Sequence, residues 1–184
     1  MVETILEATA RVFVAHGYAR ATTNRIAEAA GISVGSLYQY FPSKDAIAVE
    51  LLRRYRETLI DLVRRHLQGV GESSLEAVVR ALLGALLRAE GIDPALHRVL
   101  IERVLRTSAR GEISGFEERV EGALAEAIRG ANGAMSGRNP EMTAFVVVRA
   151  LLGAVHAAVV DRPALNGPEL VEELTRLVVR FLAP

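Results

Sequence analysis

The 184-residue chain carries 22 basic and 22 acidic side chains, so bulk attraction is no sufficient ground for nucleic-acid binding. Apolar residues make up 51% of it and aromatics only 5%, which leaves Leu, Val and Ala to build a core. It has no cysteine, and this excludes disulfides and thiolate metal sites.

Helical periodicity runs almost throughout, and no segment alternates with the period of two of a strand. From Glu3 to His16, an apolar stripe of Ile5, Leu6, Thr9, Val12 and Phe13 predicts a first helix, ended by Gly17. Thr22 or Thr23 can cap a short second helix closed by Gly31, and Ser33 a third that reaches Tyr40. Pro42 stops the third, and Ser43 can cap a long fourth helix to about Leu67. No signal peptide precedes Met1 and the first residues read as helix, so a cytosolic location is expected.

Beyond Gly69 and Gly71, Ser73 with Glu76 reads as a capping box for a fifth helix, closed by Gly91. Asp93 with Pro94 opens a sixth, ended by Gly111, and Ser114 with Glu117 is a second capping box that opens a seventh. Asn139 with Pro140 opens an eighth, and Asn166 with Pro168 and Glu169 a ninth. The fold class is therefore all-α, with about nine helices and short links. Gly130 to Arg138 is the segment expected to be most flexible.

The eighth helix is apolar from Ala144 to Val160 apart from Arg149, Gly153 and His156. It falls short of the ~20 residues a bilayer requires and holds a charge, so a covered helix is expected, with no membrane partner. Gly153, Ala154, Ala157 and Ala158 would let another helix approach closely, and Leu170, Leu174, Leu177, Val178 and Phe181 give the ninth helix an apolar face. The two helices either complete a four-helix bundle in a homodimer or pack on their own chain. The dimer reading uses Leu151, Ala154, Val155, Ala158, Leu170, Leu174, Leu177 and Phe181.

The segment richest in chemistry is GYARATTNRIAEAAGISVGSLYQYFPSK, Gly17 to Lys44. A short helix, a turn at Gly31 and a second short helix have the spacing of a helix-turn-helix, whose second helix can enter the major groove. Ile26, Ala27, Ala30, Ile32 and Leu37 would face inward, and Phe41 would join the core. Thr23, Asn24, Ser33, Val34, Gly35, Ser36, Tyr38 and Tyr40 remain outside, suited to phosphate oxygens and base edges. Thr23 and Ser33 also read as plain helix caps, and the two tyrosines as packing residues. Charge does not help: Arg11, Arg20, Arg25 and Lys44 stand against Glu3, Glu7, Glu28, Asp45 and Glu50. Arg53, Arg54, Arg56, Arg64 and Arg65 read as a solvated helix face.

The run TT-xx-IA-xx-AG-I-S-x-G-S-L-Y-x-YF-PSK resembles the signature of the TetR family of bacterial transcriptional regulators. The resemblance implies a three-helix DNA-binding head over residues 1–46 and a larger ligand-binding and dimerisation domain over 47–184. It further implies a homodimeric, ligand-released repressor bound to a palindromic double-stranded operator. Its last two helices would form the dimer, and helices four to seven would enclose a ligand pocket. Thr23 and Ser33 would then bond phosphates, while Val34, Gly35, Ser36 and Tyr38 meet bases. Tyr40 and Lys44, the single lysine, would clamp the backbone. Asn24 would reach a base or a phosphate. Many relatives carry a basic arm before the first helix; here the sequence starts almost at the helix itself.

By the same analogy the pocket would suit a mostly apolar effector, with His66, His97 or His156 as a polar contact and Leu86, Leu100 and Phe116 as lining. No cofactor or metal is called for. An enzyme is the main alternative, yet no HExxH, phosphate-binding glycine loop or nucleophile elbow occurs, and His16, His66, His97 and His156 are far apart. A helical protein-interaction module that does not bind DNA is the other alternative.

Overall fold

The computed structural model describes residues 1–68, 74–87, 95–96, 98–100, 110–130 and 139–182, with backbone alone at 110–114 and 159–160. Among the described residues all regular structure is helical. In chain order the helices are α1 Val2–Arg20, α2 Thr23–Ala30, α3 Val34–Tyr40, α4 Lys44–Leu67, α5 Leu75–Leu87, α6 Arg110–Gly130, α7 Pro140–Val160 and α8 Pro168–Leu182. Helical residues also occur at 95–96 and 98–100, and a 3-10 turn at Pro163–Leu165. The all-α class expected from the sequence is therefore observed.

The chain forms two compact units, one of Met1–Glu57 with Ile92–Ser108, the other of Thr58–Gly91 with Ala109–Pro184. Helix α4 runs from one to the other, so the boundary expected between residues 46 and 47 lies within a helix.

In the first unit α1 packs on α2 and α2 on α3. Ile5, Leu6, Phe13, Ile26, Leu37 and Ile47 are fully buried there. Thr9 is buried with them because its hydroxyl donates to the Ile5 carbonyl at 2.7 Å. Gly17 does interrupt α1, with φ 71° and ψ 160°, yet helix resumes beyond it as far as Arg20. A residue with a Cβ is disfavoured at that φ, although nothing would crowd the Cβ itself. On α4, Glu50 receives Arg53 and Arg54, and Arg54 reaches on to Glu3 of α1. The Arg53 guanidinium above all holds the Glu50 carboxyl down to about 2.

In the second unit α5 packs on α8 and α6 on α7. Val79, Leu83, Val147, Val155, Leu174 and Val178 form one buried cluster, and Ile60, Val63, Val120 and Val148 another. Asn139 caps α7 as expected, its side-chain oxygen accepting from the Met142 N–H at 2.9 Å. Arg129 reaches Glu141 in the first turn of α7 and lowers the pKa of that carboxyl.

Three expectations need correcting. Helix α5 is capped by Ser74, whose hydroxyl accepts from the Ala77 N–H at 3.2 Å, and not by Ser73. Ser73, Gly69, Gly71, Gly91, Asp93 and Pro94 lie outside the described residues. Gly111 does not end a helix, nor does Ser114 start one, because α6 is continuous from Arg110. One glycine lowers helix propensity by only about 1 kcal/mol, which the burial of Val120, Ala125 and Ile128 on the same helix outweighs.

The apolar helix α7 is the one described helix long and apolar enough to cross a membrane by length and hydropathy. It is covered on one side only. Thr143, Ala144, Val147, Val148, Val155 and Ala158 are buried, while Met142, Phe145 and Val146 are exposed. Arg149 pairs with Glu117 and Glu121 of α6 and lies over the Phe145 ring.

Candidate nucleic-acid interface

Local chemistry fixes each end of the α2–α3 pair. Thr22, not Thr23, caps α2, with its side chain accepting from the Arg25 N–H at 3.3 Å. At the other end Gly31 has φ 68° and ψ 29°, and the Ile32 N–H reaches back to the Ala27 carbonyl at 3.0 Å. That six-to-one bond across a left-handed glycine closes the turn between the two helices. Ser33 then caps α3 by accepting from the Ser36 N–H at 3.0 Å.

With the ends fixed, the pattern of burial follows. Ile26, Ala27 and Leu37 are buried, and Phe41 just beyond α3 is 8% exposed. Ala30 and Ile32, expected inside, are half-buried. On the outer side Tyr38 is 50% exposed and Tyr40 46%, so neither ring is a core residue. Asn24, Ser33 and Gly35 are exposed, and Thr23, Val34 and Ser36 are half-buried. Because Thr22 takes the cap, the Thr23 hydroxyl is left to meet the Tyr38 hydroxyl at 3.2 Å, linking α2 to the outer face of α3. Gln39, which the sequence reading passed over, is also exposed on α3. Its position in the helical register, next to Tyr38 and Tyr40, was the available signal.

Gly35 has no structural need to be glycine. Its φ is not positive, and a Cβ there would meet only the Ser33 hydroxyl at 3.8 Å, an ordinary contact. Inside a helix glycine is less stable than alanine by about 1 kcal/mol. With no Cβ at Gly35, the backbone of α3 is bare on its exposed side.

Lys44 is placed differently from the others. Its ammonium donates to the carbonyls of Tyr18 at 2.9 Å and Ala21 at 3.0 Å, and stands 4.3 Å from the Tyr18 ring centroid. The Tyr18 hydroxyl bonds Asp45, and its ring meets Phe13 edge-on. Lys44 therefore ties the start of α4 to the end of α1.

In the second unit, a cavity of about 90 Å³ is lined from α4, α5, α6, α7 and α8, by Leu86 and Phe116 among others. His66 is not in its wall; the ring nitrogen Nδ1 lies 2.9 Å from the Leu62 carbonyl. His156 is half-buried and not in the wall, Leu100 is buried in the first unit, and His97 lies outside the described residues. No cluster of metal-ligating side chains occurs among the described residues.

Of the side chains expected at an interface between copies, Val155, Ala158 and Leu174 are buried in their own protomer. Leu151, Ala154, Leu170 and Phe181 pack against that same core, and Leu177 alone is 53% exposed. Among the described residues, the exposed large apolar side chains of these two helices are Met142, Phe145, Val146 and Leu177.

A family model described as bacterial regulatory proteins, tetR family, matches residues 5–51, and one described as Tetracyclin repressor-like, C-terminal domain, matches residues 74–182. The nucleoid occlusion factor SlmA of Haemophilus ducreyi is 34% identical over 89 residues, 48% of this chain and 43% of that protein. The HTH-type transcriptional regulator TcmR of Streptomyces glaucescens is 31% identical over 128 residues, 66% of this chain and 56% of that one. The matched region thus spans about half the length of these curated relatives. Among solved structures, SmeT, the repressor of the Stenotrophomonas maltophilia multidrug efflux pump SmeDEF, superposes with a TM-score of 0.76 at 20% identity, over 100% of this chain and 91% of that one.

Proposed function

The chain belongs to the TetR family of bacterial regulatory proteins, and on that premise we propose that it is a repressor that binds a palindromic operator as a homodimer and is released by a small ligand. The observation that carries this reading is α3, a short helix capped at Ser33, with Tyr38, Tyr40 and the unhindered Gly35 on its outer side. Val34, Gly35, Ser36 and Tyr38 would meet base edges, with Val34 against a thymine methyl. Thr23, Asn24, Ser33 and Tyr40 would hold phosphates. Lys44 would act there by fixing α4 to the end of α1, whether or not its ammonium also meets a phosphate.

Two recognition helices must stand about 34 Å apart to read successive major grooves. Met142, Phe145, Val146 and Leu177 supply an exposed apolar face through which two copies would set that separation. Leu86 and Phe116 would touch a ligand in the cavity of the second unit. A ligand that favours a conformation with the wrong separation weakens operator binding, and by linkage the operator weakens ligand binding by the same factor. No catalytic role is part of this reading, and its target places its action in the cytoplasm.

Selection of bound sequences from random duplex DNA, followed by affinity at two salt concentrations, tests the proposal. A palindromic consensus, lost on Tyr38→Ala with Tyr40→Ala, is the expected result. No enrichment from folded, dimeric protein would overturn it.

A further inference from the structure

Residues 1–46 contain four cationic side chains, and each of them donates to the main chain of that same segment. The Arg11 guanidinium reaches the Ala29 carbonyl at 3.1 Å, in the last turn of α2. Arg25 donates to the Arg20 carbonyl at 2.8 Å, and Lys44 to those of Tyr18 and Ala21, all at the end of α1. Arg20 turns back to the His16 carbonyl at 3.1 Å. These partners have a physical cause. The last carbonyls of a helix have no partner within it and form the negative end of its dipole. A cation placed there supplies both the missing donor and the opposite charge.

The neighbouring surface is of a different kind. From Gly31 to Ser43, through the whole of α3 and both its flanks, the sequence has no charged residue. Tyr38, Gln39 and Tyr40 are exposed there, and Asn24 is exposed on α2. The Thr23 and Tyr38 hydroxyls meet at 3.2 Å, so one donates to the other and a single O–H of the pair is left to bond outward. Glu3, Glu7, Glu28 and Asp45 match the four cations, so residues 1–46 carry no net side-chain charge to attract a polyanion.

We propose that this head holds its operator through uncharged hydrogen-bonding groups, while Arg11, Arg25 and Lys44 serve to close its own helix ends. This mode of binding rests on the DNA-binding function proposed above. Contacts from hydroxyls and amides release few counterions, and the sequence-independent attraction of the head to any duplex is weak. Discrimination then lies in the pattern of donors and acceptors that the groove presents.

The affinity of the full chain for its selected duplex, measured from about 50 to about 200 mM salt, tests this mode. If every cation of both heads met a phosphate, the dimer would neutralise roughly eight and lose affinity about 10⁴-fold over that range. Half as many contacts correspond to a loss of about 150-fold. A smaller loss than this is expected, and a larger one overturns the proposal. Arg25→Gln should leave the loss unchanged, whereas phosphate contacts from Arg25 in both protomers would make it shrink about tenfold on substitution. Gln39→Lys puts a cation on the uncharged stretch and should enlarge the loss about tenfold. A loss reduced by Arg25→Gln, or unmoved by Gln39→Lys, also overturns the proposal. No duplex enriched by folded protein removes the regulator and this mode of binding together. A palindrome bound with a steep salt loss keeps the regulator and removes the uncharged contact alone.

Discussion

The Lys44 ammonium donates to the Tyr18 carbonyl and stands over the ring of the same residue, so one cation engages both the backbone and the side chain of Tyr18. A second bond to the Ala21 carbonyl completes a joint between the end of α1 and the start of α4. Lys44→Met keeps the aliphatic stem and removes the joint. With charge-assisted bonds worth about 1.5–3 kcal/mol, it should lower unfolding stability by roughly 2 kcal/mol in urea titration. Unchanged stability would show that these bonds contribute nothing net.

Gly35→Ala separates folding from recognition. Alanine fits its surroundings and favours helix, so stability should hold or rise by up to about 1 kcal/mol. Operator affinity should nevertheless fall at least tenfold, because the added methyl stands where the DNA would approach. Equal affinity for both proteins would refute close approach at this position.

Thr175 is 2% exposed, and its hydroxyl has no hydrogen-bond partner among the described residues, whereas the equally buried Thr9 donates to the carbonyl four residues back. Leaving a buried hydroxyl unpaired costs about 1–3 kcal/mol. Thr175→Val keeps the branched shape without the hydroxyl and should raise stability by about 1 kcal/mol, read as a higher urea midpoint at constant slope.

Glu50 sets an acid limit on the first unit. Its folded pKa of about 2 lies below the ordinary value of 4.5, so the stabilisation it supplies is complete above that ordinary value. It is lost as pH falls from there through about 2. Because Arg53 is largely solvent-exposed, the contribution is about 1 kcal/mol at most, well under what the shift alone would give. Glu50→Gln should flatten stability between about pH 5 and pH 2, and a slope identical to the wild type would count against this origin.

Much of the fold was legible because its punctuation is local. Gly31, Ser33 and Asn139 each act within five residues along the chain, and all three do what their chemistry suggests. At the start of α5 two neighbouring serines both fit the capping pattern, and the sequence alone does not choose Ser74. The outward face of α7 was not legible for a different reason. A helix that is apolar nearly all round has no phase, so sequence could not say that Phe145 would be exposed and Val155 buried. The outer face of α3 was legible, because polar and aromatic residues alternate with Leu37 in the helical period. The use made of Lys44 was hidden: its partners Tyr18 and Ala21 lie 26 and 23 residues away.

Helix α3 has seven residues, fewer than the dozen or so that an isolated helix requires in water. It persists because Leu37 and Phe41 are held in the core of the first unit, so damage to that core erases as a whole the surface proposed to meet DNA. A substitution such as Ile26→Asp would do this from inside, without touching any exposed residue of α3. The second unit has buried clusters of its own, and in the proposed homodimer it would still recruit an intact sister chain. Heritable lesions in the small core should therefore be dominant over the wild-type allele, while lesions that unfold the larger unit should be recessive.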